Sequence, residues 1–434
     1  MRIVYIAAGA GDMYCGACAR DIALIRALIA RGHDVQVYPL YTPLRLDGGA
    51  PVITRPITFG GINVYLQQLS PLFQHLPQWL ARVLDGPGFL NWVSRFAIHT
   101  KAEDVGPLTV SMLAGRNGRQ RVELDRLLDF LAADTLPDVV NITNSLLSGI
   151  APALKERLGV PIVCNVQGED LFVAGLPALD RERAHALIRA HAASVDLYLA
   201  PGEAYARYMT KFLDIAPAQM RVARAGVDVQ AYYPDGDAPT TPFIIGYLSV
   251  IIPSKGLDLL VEALRRLVHE EKRDVHLHVA GKVLNPGYAH AVRTTIADAG
   301  LQDRVVFLGE VDYAAKIAFL RTCSVVAATS RHAESRALAT IEAMACGVPV
   351  VMPHSGIFLE IRELTDAGDL YTAGDSLSLA KALSRVMDDP TQAHTQATHG
   401  IDGIVTHFSA QRMADDVLAA YATLPGIRAT TKTR

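Results

Sequence analysis

The chain has 434 residues, half of them hydrophobic and a fifth charged, with a formal net charge of -3. That length exceeds one ordinary core and suits two domains of roughly 200 residues each. The charge balance excludes a globally basic nucleic-acid-binding surface, and the apolar run 243–252 is too short to span a bilayer. The chain opens on Met1-Arg2-Ile3-Val4-Tyr5-Ile6-Ala7-Ala8, too short for a signal peptide's apolar core and read as a first buried strand. Gly9-Ala10-Gly11 then leads into a helix over 21–31, Gly32-His33, and a strand over 34–39. Residues 45–130 depart from this alternation. Trp79, Leu80, Val83 and Leu84, then Phe89, Leu90, Trp92, Val93 and Phe96, fall at helical spacing on either side of Asp85-Gly86-Pro87-Gly88. They predict a helical hairpin inserted in the first domain. Short β-branched runs at 137–141, 160–165 and 195–199, separated by helical stretches, read as parallel strands of a doubly wound sheet. The polar, Pro-rich stretch 234–242 reads as a linker, after which strands are expected at 243–248, 275–280, 305–308, 323–328 and 349–352. A last helix over 409–421 precedes a solvated tail, 425–434. Five cysteines, an odd number without a secretory signal, point to a reducing cytoplasm.

Chemistry concentrates around Glu334 and Glu342, which are separated by seven residues and run into Ala343-Met344-Ala345-Cys346-Gly347-Val348-Pro349. The stretch 337–345 has helical character, and Gly347-Val348-Pro349 ends it before another apolar strand. Leu338, Ile341 and Ala345 share its buried side, while Glu342 points along the flank. Glu334 precedes the helix, next to the free N–H groups of its first turn. A carboxylate that accepts hydroxyl hydrogen bonds, beside donors that favour a phosphate, suits a sugar joined to a diphosphate. The simpler reading is a helix cap and a solvated face.

This arrangement resembles the E-x7-E signature of retaining glycosyltransferases of family 4. The resemblance implies a GT-B fold: two Rossmann-like doubly wound α/β domains facing a central cleft. It would divide the chain into an acceptor-side domain (1–235), a nucleotide-sugar domain (242–408) and a helix returning to the first domain (409–424), with a hinge near 228–242. It assigns the donor sugar's hydroxyls to Glu334 and the nucleotide's ribose to Glu342. The donor loop would be Ser335, Arg336, Ala337 and Leu338, where Ser335-Arg336-Ala337 replaces the commoner glycines. Lys255, heading a loop after the strand 243–248, would neutralise the leaving diphosphate. Val250 stands where the family has a second cation, so Arg336 or Arg331 is a candidate replacement. Gly16, at the first helix's start, would approach the diphosphate from the other domain. Gln167 replaces a donor-contacting histidine; an amide hydrogen-bonds a hydroxyl but cannot act as a general base.

Glu169 and Asp170 are candidate sugar or acceptor ligands, with helix capping as the alternative. The acceptor is expected between the loop 9–18, Tyr41 to Arg45 and the inserted hairpin, with Tyr41 and Arg45 stacking on or pairing with a small-molecule or saccharide acceptor. No Asp-x-Asp stands at a strand end to hold a divalent ion, so neither metal nor cofactor is expected beyond a donor, UDP- or GDP-linked. Gly9-Ala10-Gly11 fails the dinucleotide pattern because its third glycine falls at Tyr14. Competing readings are an epimerase or phosphorylase on the same fold, a non-catalytic nucleotide-sugar-binding protein, and a thiol oxidoreductase using Cys15 and Cys18.

Overall fold

The computed structural model describes residues 1–8, 16–40, 102–234 and 242–427. Cys15, Tyr41, Arg45, both tryptophans and residues 45–101 of the expected insertion lie outside the described residues, as do most of the expected linker and 428–434.

Among the described residues, the strands form two six-stranded sheets, all parallel. The first contains β1 (Arg2–Ala7), β2 (Asp34–Pro39), β3 (Val139–Ile142), β4 (Ile162–Asn165), β5 (Leu197–Ala200) and β6 (Met220–Val222), in the order β2-β1-β3-β4-β5-β6. The second contains β7 (Phe243–Leu248), β8 (Val275–Ala280), β9 (Val305–Gly309), β10 (Val325–Ala327), β11 (Val350–Pro353) and β12 (Asp369–Tyr371), in the order β12-β11-β10-β7-β8-β9. β3, β4, β5, β10 and β11 are buried along their whole length, because helices cover both faces of each sheet. Strand order reverses between β1 and β3 in one sheet and between β7 and β10 in the other. Crevices at such reversals, beyond the strands' C-terminal ends, are where open α/β sheets take ligands.

Local differences from the sequence reading have physical reasons. The first helix, Gly16–Ala30, starts five residues before 21. Asp21, a natural start signal, is instead inside the helix and 1% exposed, its carboxylate bonded by Tyr5 and Thr143. β6 and β12 have three residues each and carried no readable pattern. Residues 102–113 and 121–133 of the insertion are helices.

The last helix, Ala410–Tyr421, packs on Gly16–Ala30 in the first domain. Val227 and Ser409 form a parallel bridge, and the Tyr421 hydroxyl donates to Asn141 Oδ1 at 2.9 Å. Glu360, on the second domain's helix Ile357–Thr365, pairs with Arg224 at 2.7 Å and accepts from Glu203 N at 2.9 Å, capping the first-domain helix Glu203–Leu213.

Candidate active site

β10 delivers the chain to a loop that carries Ser330, His332 and Glu334. Gly356 fixes the end of that loop at φ +56°; a Cβ there would lie 2.9 Å from Glu334 O, and Ile357 N donates to that same oxygen. Lys255 arrives from the turn Pro253–Lys255 after β7. Gly256, at φ +66°, lets the chain pass so close to Thr329 that a Cβ would sit 2.1 Å from its carbonyl oxygen. Thr329 Oγ1 also donates to Lys255 O at 2.8 Å.

These constraints bring Lys255 Nζ and Ser330 Oγ onto Glu334 Oε1. Burial by itself raises the Glu334 pKa. Lys255, through charge and hydrogen bond, and Ser330 overcome it and hold the carboxyl below its ordinary value. His332 is half-buried, and burial lowers its pKa, keeping the imidazole neutral at neutral pH.

The helix Leu338–Ala345 begins at Ala337, which adopts left-handed φ 48° and ψ 44°. One face of this helix packs into the second domain's core, and Glu342 is only 5% exposed. Burial at this level argues against the simpler reading of a solvated face. Glu342 Oε1 accepts Lys316 Nζ at 2.5 Å and the Tyr232 hydroxyl at 2.8 Å. Lys316 lies over the rings of Tyr232 and Tyr313, 5.3 and 5.2 Å from their centroids.

A cavity of about 320 Å³ joins these groups, bordered by Lys255, Lys316, Glu334, Arg336 and Glu342 of the second domain and Gly16 of the first. A Cβ on Gly16 would lie 3.3 Å from Leu338 Cδ1, so the two helix starts meet across the cleft. Ala337, Leu338 and Val250 also border the cavity; Ser335 instead faces Gly168, whose Cβ would lie 3.6 Å from its Oγ. Lys282 and Glu310, paired at 3.5 Å, stand on the same wall. The cavity thus carries three Lys–Glu pairs and Arg336, a net positive lining whose cations can exchange partners with an anionic ligand.

Arg336 and Arg331 separate cleanly. Arg336 borders the cavity and donates to Gln167 Oε1 at 2.9 Å, bridging the domains. Arg331 turns outward to Asp258. Gln167 is 6% exposed, and its Nε2 donates to Thr143 O at 2.7 Å and to Asp21 Oδ1 at 3.3 Å. Its amide is oriented with oxygen toward the second domain.

Glu169 does not reach the cleft as a ligand. It is 4% exposed, and its two oxygens accept Ser145 N at 3.0 Å and Gln167 N at 2.6 Å. Burial raises its pKa and those backbone bonds counter the rise. Its role here is to pin two loops. Asp170 stays half-buried and accepts the Tyr205 hydroxyl at 2.6 Å. Cys164, Cys323 and Cys346 are buried free thiols. Sequence reasoning missed Lys316, Tyr232 and His332. The one available signal was a lysine amid the apolar helical run Ala314-Ala315-Lys316-Ile317-Ala318-Phe319.

Residues 22–226 match the family of glycosyl transferase 4-like domains, and residues 229–401 match glycosyl transferases group 1. The chain is 30% identical over 217 residues to the lipopolysaccharide core biosynthesis mannosyltransferase LpcC of Rhizobium leguminosarum bv. viciae, covering 47% of this chain and 60% of that protein. It is 30% identical over 172 residues to a phosphatidyl-myo-inositol mannosyltransferase of Mycobacterium leprae, covering 40% of this chain and 44% of that protein. The chain therefore spans about half the length of these curated relatives. Among solved structures, Anabaena HepE in complex with UDP and glucose superposes with a TM-score of 0.68 at 17% identity, over 98% of this chain and 100% of that one. That likeness establishes the fold.

Proposed function

The chain belongs to the group 1, 4-like glycosyltransferases with the GT-B fold, and we propose that it moves a sugar from a nucleoside diphosphate sugar, UDP- or GDP-linked, to a small-molecule or saccharide acceptor. The observation that carries this reading is that the Lys255–Glu334 pair and Glu342 border one cavity. A diphosphate entering the cavity competes for Lys255. Once Lys255 turns to the phosphates, Glu334 is released to accept hydrogen bonds from the sugar hydroxyls. Arg336 takes the diphosphate from the first-domain side, exchanging Gln167 for phosphate and supplying the cation that Val250 lacks.

Transfer with retention and without a metal follows as part of the same reading. The acceptor hydroxyl attacks the anomeric carbon from the face the diphosphate leaves. The anomeric C–O bond to phosphate breaks, the new C–O bond forms, and a phosphate oxygen receives the acceptor's proton. No protein base is required, which fits an amide at Gln167. Lys255, Arg336 and the helix start at Leu338 supply the fixed charge that meets the leaving diphosphate. The odd number of cysteines and the free thiols of Cys164, Cys323 and Cys346 fit a reducing compartment; no helix among the described residues is long and apolar enough to cross a membrane.

The test is to screen UDP- and GDP-sugars against acceptor pools by mass spectrometry, assign the product's anomeric configuration by NMR, and repeat in chelator. Expected is a product of unchanged configuration, formed equally with and without chelator. An inverted product, or activity lost in chelator and restored by manganese, contradicts the mechanism. Donor conversion without acceptor favours an epimerase.

A further inference from the structure

Lys316 is 1% exposed, and its Nζ rests 2.5 Å from Glu342 Oε1 under the faces of two tyrosines. An ammonium loses its hydration in such a place, and an apolar side chain of similar volume serves packing equally well. The charge therefore invites a role beyond packing, and its surroundings supply one. Lys316 and Glu342 border the same cavity. Tyr232, which donates to the same carboxylate oxygen, belongs to Val229–Tyr232, the short helix that leads from the first domain into the second.

We propose that Lys316 and Tyr232 are positioning residues for the nucleoside end of the donor: by fixing the Glu342 carboxylate they make the site select a ribose over a 2′,3′-dideoxyribose. The proposal rests on the reading of Glu342 as the ribose carboxylate. With a cation and a hydroxyl both donating to Oε1, the group is held as an acceptor, so a ligand must bring its own donors. Ribose 2′- and 3′-hydroxyls do so; a dideoxyribose brings none. A rigid polar site discriminates between these more sharply than a loose one, because it cannot rearrange to satisfy itself when the hydroxyls are missing.

The experiment is calorimetric titration of the full chain with UDP and GDP and with their 2′,3′-dideoxy counterparts, alongside thermal unfolding. The wild type is expected to prefer the ribonucleotide by about tenfold or more, the cost of one or more unmade hydrogen bonds. Tyr232→Phe and Lys316→Met are expected to compress that ratio severalfold, by weakening the ribonucleotide and leaving the dideoxy compound nearly unchanged. Should Lys316→Met fail to fold, Tyr232→Phe carries the test. Variants that lose melting temperature but keep the wild-type ratio overturn the proposal and leave both residues a packing role. A wild type that binds ribo and dideoxy forms equally also overturns it. A wild type that binds no nucleotide at all removes the donor reading itself.

Discussion

At Glu334 burial and charge oppose each other, and charge wins. Burial favours the neutral acid, but Lys255 and Ser330 hold the carboxyl below the ordinary glutamate value of 4.5. A depressed carboxyl stabilises the fold fully above the unfolded-state pKa, and that contribution disappears as pH falls through the folded value. The Glu334 contribution on this account is level from pH 8 to 5 and declines in the acid range below 4.5. Lys255→Met leaves a desolvated carboxylate without its cation, which lowers stability at neutral pH and diminishes or reverses that acid decline. The same variant is expected to lower kcat/KM by a factor of about 10²–10³, the loss typical of removing a group that meets developing charge. Thermal melts across pH and steady-state kinetics check both. Ala337 offers a separate test. A left-handed backbone costs a non-glycine residue roughly 1–2 kcal/mol, and glycine loses about 0.5–1 kcal/mol more chain entropy. Ala337→Gly is therefore expected to stabilise by about 0.5–1 kcal/mol in denaturant titration. The spacing of Glu334 and Glu342, and Lys255 after its strand, could be read from sequence because each lies in a local strand–loop–helix pattern. The partners of Glu342 could not. Tyr232 and Lys316 lie 110 and 26 residues away, brought in only by packing.

Among elements, the β-branched strands announced themselves because burial on both faces demands uninterrupted apolar runs. The three-residue edge strands β6 and β12 are too short for such a run and take their place from their neighbours' backbones. The C-terminal helix shows how one element closes a domain to which it is distant in sequence. Its apolar side, with Met413, Ala414, Val417 and Tyr421, completes the core beneath the first sheet. Tyr421 adds a buried hydrogen bond to Asn141. Tyr421→Phe leaves that side-chain oxygen without this donor in a fully buried setting. The expected loss is about 1–3 kcal/mol, read as a shift in denaturation midpoint with unchanged m-value.

Across the whole molecule, the charged groups bordering the cavity all lie in the second domain, while the first contributes Gly16 and, through Gln167, the orientation of Arg336. The domains also meet at Glu360, which joins Arg224 and the start of Glu203–Leu213. Contacts of this kind depend on the relation between two sheets, which no local pattern records. The central claim is that Glu342 holds the nucleotide and Glu334 the transferred sugar, and calorimetry with UDP and GDP combined with turnover measurements tests it most directly. A ribose contact is made equally in ground and transition states, whereas a sugar contact strengthens as positive charge develops on the ring. Glu342→Ala is therefore predicted to weaken nucleotide binding by about tenfold or more, while Glu334→Ala keeps nucleotide affinity and loses turnover. Equal losses of nucleotide affinity in both variants, or no binding by the wild type, would contradict the account.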